Sequence, residues 1–250
     1  ELLRKERGAK LRSIPVRVLF DDPELSLRAN YTMFDRESGR PVCVGNGETC
    51  KRATESGMQS LACPSPAACP LALGGQCKPY GRLNVRIDCE GCTDELGSFV
   101  LRTTGFNSIR TLSARLRYLH ALSGGVLSTL PLELRVRGKS TTLSRRTPIY
   151  YVDLTLRSDC TLEQAVADAR IAWDARKAAG VNQAALDEAA RMGFALGEFE
   201  ECEEDGAAVV EEFYPQEDVQ GAAPELAPGM GLELADKIRS KARRLEARGA

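Results

Sequence analysis

Apolar and polar residues alternate along much of the first 157 residues, and this alternation is the pattern of half-buried β-strands. Residues 13–20, for example, place Ile14, Val16 and Val18 on one face and Arg17 on the other. The other segments that predict strands in this way are residues 25–35, 82–88, 97–105, 130–139 and 148–156. Together they predict an antiparallel, β-rich body.

One helix interrupts these strands. Its apolar residues, among them Leu112, Leu116 and Leu119, recur every three or four positions, with Asn107 as the expected N-cap and Gly124 as the stop. A helix between the third and fourth strands of a small Greek-key sheet is typical of an OB-type barrel, and such barrels often bind nucleic acid. An α+β sheet of another topology fits the same order of elements. The expected class is therefore α+β, with the OB-like barrel as one form of it.

The composition changes after residue 157 and predicts a helical C-terminal part. Residues 158–197 predict a helical appendage that begins at a capping box of Thr161 and Gln164. Residues 198–231 are acidic and then rich in proline, glycine and alanine, which predicts a disordered linker. Residues 232–250 predict a C-terminal helix with a coiled-coil-like apolar seam.

The charge of the chain is divided in the same place. Residues 1–157 carry 24 Lys and Arg against 15 Asp and Glu, a net charge of +9, whereas residues 158–250 carry 10 against 20, a net charge of −10. A basic body of this kind favours contact with a polyanion. A solvated surface with an acidic linker would give the same totals.

Several basic residues of the body project from the polar side of the predicted strands, with tyrosines nearby. Cations that follow phosphates and aromatic rings that stack on bases are what single-strand nucleic-acid binding requires. Exposed arginines on strands are also common in proteins that bind no nucleic acid. The residues expected to form a nucleic-acid-binding face are Arg17, Arg82, Arg86, Arg135, Arg137, Lys139 and Tyr151.

Seven of the nine cysteines fall between Cys43 and Cys92, in a stretch rich in proline, glycine and alanine. A long segment without its own periodicity needs something to hold it, and a site of four thiolates selects zinc or, less favoured here, an iron–sulfur cluster. Cys89 and Cys92 could supply one pair of ligands, and a set of free thiols is the alternative to a metal. The ligands expected in this metal loop, residues 43–92, are Cys50, Cys63, Cys69 and Cys77.

The sequence offers no recognisable catalytic set. His120 is the only histidine and lies among apolar residues of the predicted helix, so neither a Ser-His-Asp triad nor a histidine-based metal site for hydrolysis can be built. We therefore expect no enzymatic activity. No apolar run reaches a membrane-spanning length and no secretory leader is evident, which predicts no membrane association and a cytoplasmic protein whose native start lies upstream of Glu1.

Five sequence blocks in order resemble the recombination directionality factor-like family of phages and prophages, whose members are often labelled only hydrolase or metal-binding protein. The resemblance covers roughly residues 10–200. The blocks are VCVGNGETCKR, CPSPAACPLALGGQCKPYGRLNVRI, FVLRTTGFNSIRTLSARLRYL, LPLELRVRGKST and TPIYYVDL. Cys50, Cys63, Cys69 and Cys77 match the cysteine pattern of the family, whereas Cys89, Cys92 and the acidic tail depart from it.

The resemblance implies a non-enzymatic accessory factor that binds a large serine integrase on DNA and switches it from integration to excision. Contact with DNA is then expected at least within the integrase complex, and the oligomeric state is left open. The residues expected to bind the partner are Leu162, Val166, Trp173, Ile238 and Leu245. A single-strand DNA-binding protein of replication or recombination, using the basic face, is the alternative function.

Overall fold

The structure is a computed structural model that describes residues 12–88, 98–140, 142, 147–196 and 206–214. The chain divides into two units, Glu1–Phe213 and Tyr214–Ala250, and every helix and strand of the described residues lies in the first unit. None of the helices in this described part is both long and apolar enough to span a lipid bilayer.

The described residues form strands and helices in an α+β arrangement, which confirms the expected fold class. The strands are β1 (Ser13–Val18), β2 (Leu27–Phe34), β3 (Pro41–Gly45), β4 (Thr49–Thr54), β5 (Gly57–Ala62), β6 (Cys77–Ile87), β7 (Phe99–Thr103), β8 (Leu132–Lys139) and β9 (Ile149–Leu156). The α-helices are α1 (Pro23–Ser26), α2 (Phe106–Ser123), α3 (Leu162–Ala178), α4 (Gln183–Leu196) and α5 (Gly206–Phe213).

All nine strands belong to one antiparallel sheet, in the order β5-β4-β3-β2-β6-β1-β8-β9, with β7 paired to β6. Leu83 on β6 lies opposite both Leu27 on β2 and Leu101 on β7, so these two strands occupy opposite edges of β6. Val85 lies opposite both Val18 and Phe99. Strands β1 and β2 therefore follow the same edge of β6, one after the other.

A closed OB-like barrel is not confirmed, because the sheet stays open in the described residues. Among the residues that the structure describes, no pairing joins β7 to β9; instead α2 packs along β9, where the Val152 N–H donates to Ser108 Oγ at 3.1 Å. Helix α2 lies between β7 and β8 rather than between the third and fourth strands, because the segment expected to be a metal loop contributes strands β3, β4 and β5.

The hydrophobic core lies between α2 and the sheet. Leu112 and Leu116 of the helix are fully buried, as the three-four spacing predicts. They pack with Leu83 and Val85 of β6 and with the inward residues of β1, β8 and β9. The largest contribution to stability is therefore the removal of these aliphatic side chains from water.

The ends of α2 differ in how well the sequence predicts them. Gly124 terminates the helix in the left-handed conformation with φ 71°, as expected. The helix begins two residues earlier than expected, because Gly105 rather than Asn107 is the N-cap. The Asn107 side chain instead accepts a hydrogen bond from Lys139 Nζ at 2.7 Å, a tertiary contact that local sequence does not reveal.

Helices α3 and α4 pack on the same body. The expected capping box is present at the start of α3, and Ala169 on this helix is fully buried in the core. Thr129 Oγ1 donates to the Ala169 carbonyl at 2.8 Å. On α4, the Asp187 carboxylate accepts the backbone N–H groups of Asp21 and Asp22 at 3.1 and 3.2 Å. Burial raises the pKa of Asp187.

Two parts of the fold depart from the sequence-based description. The segment expected to be a metal loop contains the strands β3, β4 and β5, and all six residues of β5 are exposed, so that it shows no apolar alternation. Within residues 198–231, where acidic composition predicts disorder, residues Gly206–Phe213 form α5. Val209 and Phe213 hold this helix to the sheet, with 0% and 1% of their surfaces exposed.

Gly81 on β6 lies directly against Ile109 of α2. A Cβ atom at this position would lie 2.8 Å from Ile109 Cγ1, closer than side-chain carbons pack. We predict that Gly81→Ala lowers the free energy of unfolding by about 1–3 kcal/mol, because α2 must shift away from the sheet. Urea denaturation followed by circular dichroism measures this change.

The matched control is Gly193→Ala on α4, where an added Cβ meets nothing within 4 Å. This substitution should raise stability by about 0.5–1 kcal/mol through helix propensity alone. Equal effects of the two substitutions would contradict the close packing of α2 at Gly81.

Candidate functional site

Five cysteines gather at the end of the sheet formed by β3, β4 and the start of β6. We call Cys43, Cys50, Cys63, Cys69 and Cys77 the cysteine corner. Cys43 on β3 and Cys77 on β6 both pair with Met33 of β2, one from each side. Because neighbouring strands lie about 4.8 Å apart, their backbones are separated by about 10 Å across β2.

Gly45 allows the other thiols to approach this point. It pairs with Cys50 across β3 and β4, and the Cys63 N–H donates to the Glu48 carbonyl at 2.8 Å, which brings the next cysteine back to the sheet. A Cβ atom on Gly45 would lie 2.7 Å from Cys50 Cβ and 2.8 Å from Cys63 Sγ. Any larger residue would therefore push these two cysteines apart.

The thiols of the cysteine corner affect one another electrostatically. Burial raises the pKa of the Cys50 thiol, and its hydrogen bond with Cys43 raises it further. Burial, followed by the charges of the other four cysteines, raises the pKa of Cys77 to about 12. Several thiolates can thus form together here only beside a compensating cation.

One cation already lies at the cysteine corner. Arg52 pairs with Cys43 across β3 and β4, and its Nη2 lies 4.0 Å from Cys50 Sγ. A hydrogen bond with Cys43 raises the pKa of this guanidinium, and burial lowers it by a smaller amount. Its Nε is buried and has no hydrogen-bond partner among the described residues. Sequence analysis missed Arg52, and it included Cys43 in the metal loop without assigning it a role.

The described residues include no group of three or more cysteine, histidine, aspartate or glutamate side chains already placed to hold a metal ion. By its chemistry the donor set fits zinc, because soft thiolates are preferred zinc ligands and all four expected cysteines belong to the corner. Zinc therefore stays a prediction. Cys89 and Cys92 lie outside the described residues.

The arginines expected to form a nucleic-acid-binding face lie on one side of the sheet. Arg17 is directly opposite Arg86 across β1 and β6, and Arg82 is directly opposite Arg28 and Arg102 on its two neighbouring strands. Sequence analysis missed Arg28 and Arg102. The alternation of side chains along β2 and β7 places both on this side of the sheet and could have indicated them. We call this side of the sheet, including β8 and β9, the basic face.

Carboxylates offset part of the positive charge of the basic face. Arg17 Nε lies 3.0 Å from Asp88, and Arg135 Nη2 lies 2.5 Å from the buried Glu133. Asp153 is buried, and it accepts Arg137 Nε at 2.5 Å and Arg115 Nε at 3.1 Å. These ion pairs fix the arginine side chains against the sheet.

The remaining members of the predicted face lie at its end. Lys139 Nζ lies 5.7 Å from the ring centre of Tyr151, within cation–π distance. Both line a groove of about 520 Å3 between α2 and the end of the sheet, together with Arg110, Arg115 and Tyr118 of the helix. The structure thus brings the expected lysine and tyrosine together with helix residues that sequence analysis did not include.

The residues expected to bind a partner are divided by the structure. Trp173 packs on the body, where its Nε1 donates to Asp21 Oδ2 at 3.1 Å, and Val166 is half-buried. Leu162, at the start of the same helix, is 39% exposed. Ile238 and Leu245 lie outside the described residues.

The fold and these features define an α+β protein with a cysteine-rich corner and a charged face on one sheet. The Gp3-like family model, described as recombination directionality factor-like, matches residues 1–157, which is more than half of the chain. The chain therefore belongs to the recombination directionality factor-like family, as its sequence blocks indicate, and has an accessory role in recombination. Neither the curated proteins nor the solved structures contain a significant match.

The ion pairs of Asp153 provide a test of the basic face. We predict that Asp153→Ala lowers the free energy of unfolding by about 1–3 kcal/mol, because two arginines lose a buried acceptor while retaining access to water. Thermal unfolding at neutral pH measures this loss.

Asp159→Ala is the matched control, since Asp159 pairs with Arg157 at 2.5 Å but its side chain is 61% exposed. Little change is expected from this exposed pair. A loss at Asp153 no larger than that at Asp159 would show that the buried carboxylate does not hold the face together.

Proposed function

We propose that this protein is a recombination directionality factor that binds a phage large serine integrase and switches it from integration to excision. The observation that carries the proposal is the family match over residues 1–157, which includes β1–β9 and α2. In this proposal the protein acts in the cytoplasm of the bacterial host and performs no chemistry itself. The integrase serine cleaves the DNA, and this protein changes which synapses are allowed.

The arrangement of α3 supports a role in partner binding. Ala165 and Ala169 are fully buried and pack this helix against the body, which holds it in place. Leu162 stays partly exposed at its N-terminal end and can contact an apolar residue of the integrase. A rigid helix that offers an exposed aliphatic side chain loses little conformational entropy on binding.

The alternative function is single-strand DNA binding through the basic face. The cross-strand pairing of Arg82 with Arg28 and Arg102 favours it, because a row of cations can follow a phosphate backbone. Asp88, Glu133 and Asp153 oppose it by neutralising Arg17, Arg135 and Arg137. We therefore favour the integrase partner, with DNA contacted within its complex.

Reconstituted recombination tests the proposal. Adding the purified protein to its cognate integrase and to attL and attR DNA should stimulate excision, and Leu162→Glu should reduce that stimulation at least tenfold. Ile171→Glu on the same helix is the matched control, because Ile171 is 68% exposed and lies nine residues away, on the opposite side of the helix. It should leave the stimulation unchanged.

Absence of any gain in excision would reject the directionality factor. Tight, salt-sensitive binding to oligo-dT that is lost in Arg135→Ala and Arg137→Ala variants would instead favour the single-strand DNA-binding protein.

We also propose that the cysteine corner binds one structural zinc ion through Cys50, Cys63, Cys69 and Cys77. The raised pKa values of Cys50 and Cys77 support a need for a cation, and Arg52 nearby would offset part of the negative charge of a four-thiolate site. The proposed role of the metal is to join β4, the segment after β5 and the start of β6.

Metal analysis of the purified protein tests this site. We predict one zinc per chain, no visible absorption from an iron–sulfur cluster, and loss of the zinc in the Cys69→Ser variant. Cys160→Ser should retain it, because Cys160 lies outside the cysteine corner. Metal-free protein, or equal zinc in both variants, would contradict the proposed ligands.

A further inference from the structure

Helix α5 occupies a small site on the basic face. The ring of Phe213 packs edge-on against Phe34 and Tyr80, with ring centres 4.8 and 5.7 Å away. Lys78 Nζ donates to the Phe213 carbonyl at 2.9 Å, at the negative end of the helix dipole. We call the site formed by Phe34, Lys78 and Tyr80 the aromatic notch.

The aromatic notch and its occupant come from different parts of the chain. Phe34, Lys78 and Tyr80 lie within the residues that match the family model, whereas α5 lies beyond residue 157. An eight-residue helix is not stable alone in water, so α5 depends on the notch for its structure. The notch therefore belongs to the family body, and in this chain the C-terminal part supplies its occupant.

The chemistry of the occupant defines what the aromatic notch accepts. Phe213 is an aromatic anchor, and the surrounding residues 198–218 carry ten carboxylates and no cation. On the other side, Arg82 lies 5.6 Å from the Tyr80 ring centre, next to Lys78. Opposite charge and an aromatic pocket together select an acidic helix with one aromatic residue near its C-terminal end.

The fit of α5 leaves room for a different occupant. A cavity of about 360 Å3 lies beside Phe213 and is lined by Tyr80, Arg102 and neighbouring residues. A helix with a larger aromatic anchor could bury more surface there. A covalently attached segment with an imperfect fit can still occupy the notch, because attachment gives it an effective concentration in the millimolar range.

We propose that the aromatic notch is a docking site for an acidic helix with an aromatic anchor on a partner protein, and that α5 is the chain's own occupant, which the partner displaces. The inference rests on the proposed function only for the identity of the partner, the integrase. Because both helices compete for one site, α5 would lower the affinity of the partner in proportion to its own occupancy.

Peptide exchange tests the docking site without the integrase. The probe is a fluorescent peptide of residues 204–216, and its binding to the full chain is measured by anisotropy. We expect the Phe213→Ala chain to bind the peptide at least tenfold more tightly than the unchanged chain, since its own helix no longer competes. A peptide with Phe213→Trp should bind more tightly still, because it reaches the adjacent cavity.

The controls locate the binding. Adding Tyr80→Ala to the Phe213→Ala chain should abolish the gain in peptide affinity. Phe106→Ala, made alone, removes an exposed phenylalanine of α2 and should leave the peptide affinity equal to that of the unchanged chain. If Phe213→Ala impairs folding, a protease site introduced within residues 198–203 separates α5 from the folded body after purification, and the same gain is expected after cleavage and dilution.

Three results would overturn the inference. The first is no gain in peptide binding after either the Phe213→Ala substitution or the protease cleavage, and the second is a gain that survives Tyr80→Ala. The third is a gain in binding of oligo-dT instead of the peptide, which would make the site a nucleic-acid surface. A gain for the peptide without tighter binding to the integrase would retain the docking site and reject the integrase as its partner. Loss of excision in the reconstituted assay concerns the proposed function and leaves the peptide result independent.

Discussion

The pairing of β6 with three other strands is the constraint on which the rest of the molecule depends. One edge of β6 holds β1 and β2, and the other holds β7, so segments far apart in sequence are aligned by a single strand. Its inward residues, Leu83 and Val85, enter the core. Its outward residues and its first residue supply members of the basic face, the aromatic notch and the cysteine corner, so all three features have a fixed spacing along one strand.

Carboxylates and aromatic rings compensate the positive charge of the basic face. Arginines directly opposite each other on neighbouring strands repel, and the basic face has such pairs at Arg17 with Arg86 and at Arg82 with Arg28. Asp88 relieves the first pair, whereas Arg28 and Arg82 lie over the rings of Phe194 and Tyr80. Carboxylates and aromatic rings thus stabilise different halves of the same face.

Elements that depend on local pattern could be predicted from the sequence, and elements that depend on distant contacts could not. The alternation in β1, β6, β8 and β9 and the capping box of α3 are local signals, and the structure contains all of them. Strand β5 has no buried face, so no periodicity marked it. Helix α5 lies in an acidic segment, and its structure depends on Phe34 and Tyr80, more than a hundred residues away. The cysteine pattern indicated four members of the corner, whereas Cys43 joins them only through the register of β2 and β3.

Ala169 is buried in the core although it lies beyond the family match. The compact unit of this chain therefore does not end where its similarity to the family ends. The family match ends at residue 157, yet α3 supplies a residue of the main core and α5 covers Phe34 and Tyr80 from beyond that point. A gene fragment cut where the kinship stops would leave these apolar surfaces open to water and prone to self-association. The compact unit that contains the core is therefore longer than the family portion and extends to Phe213.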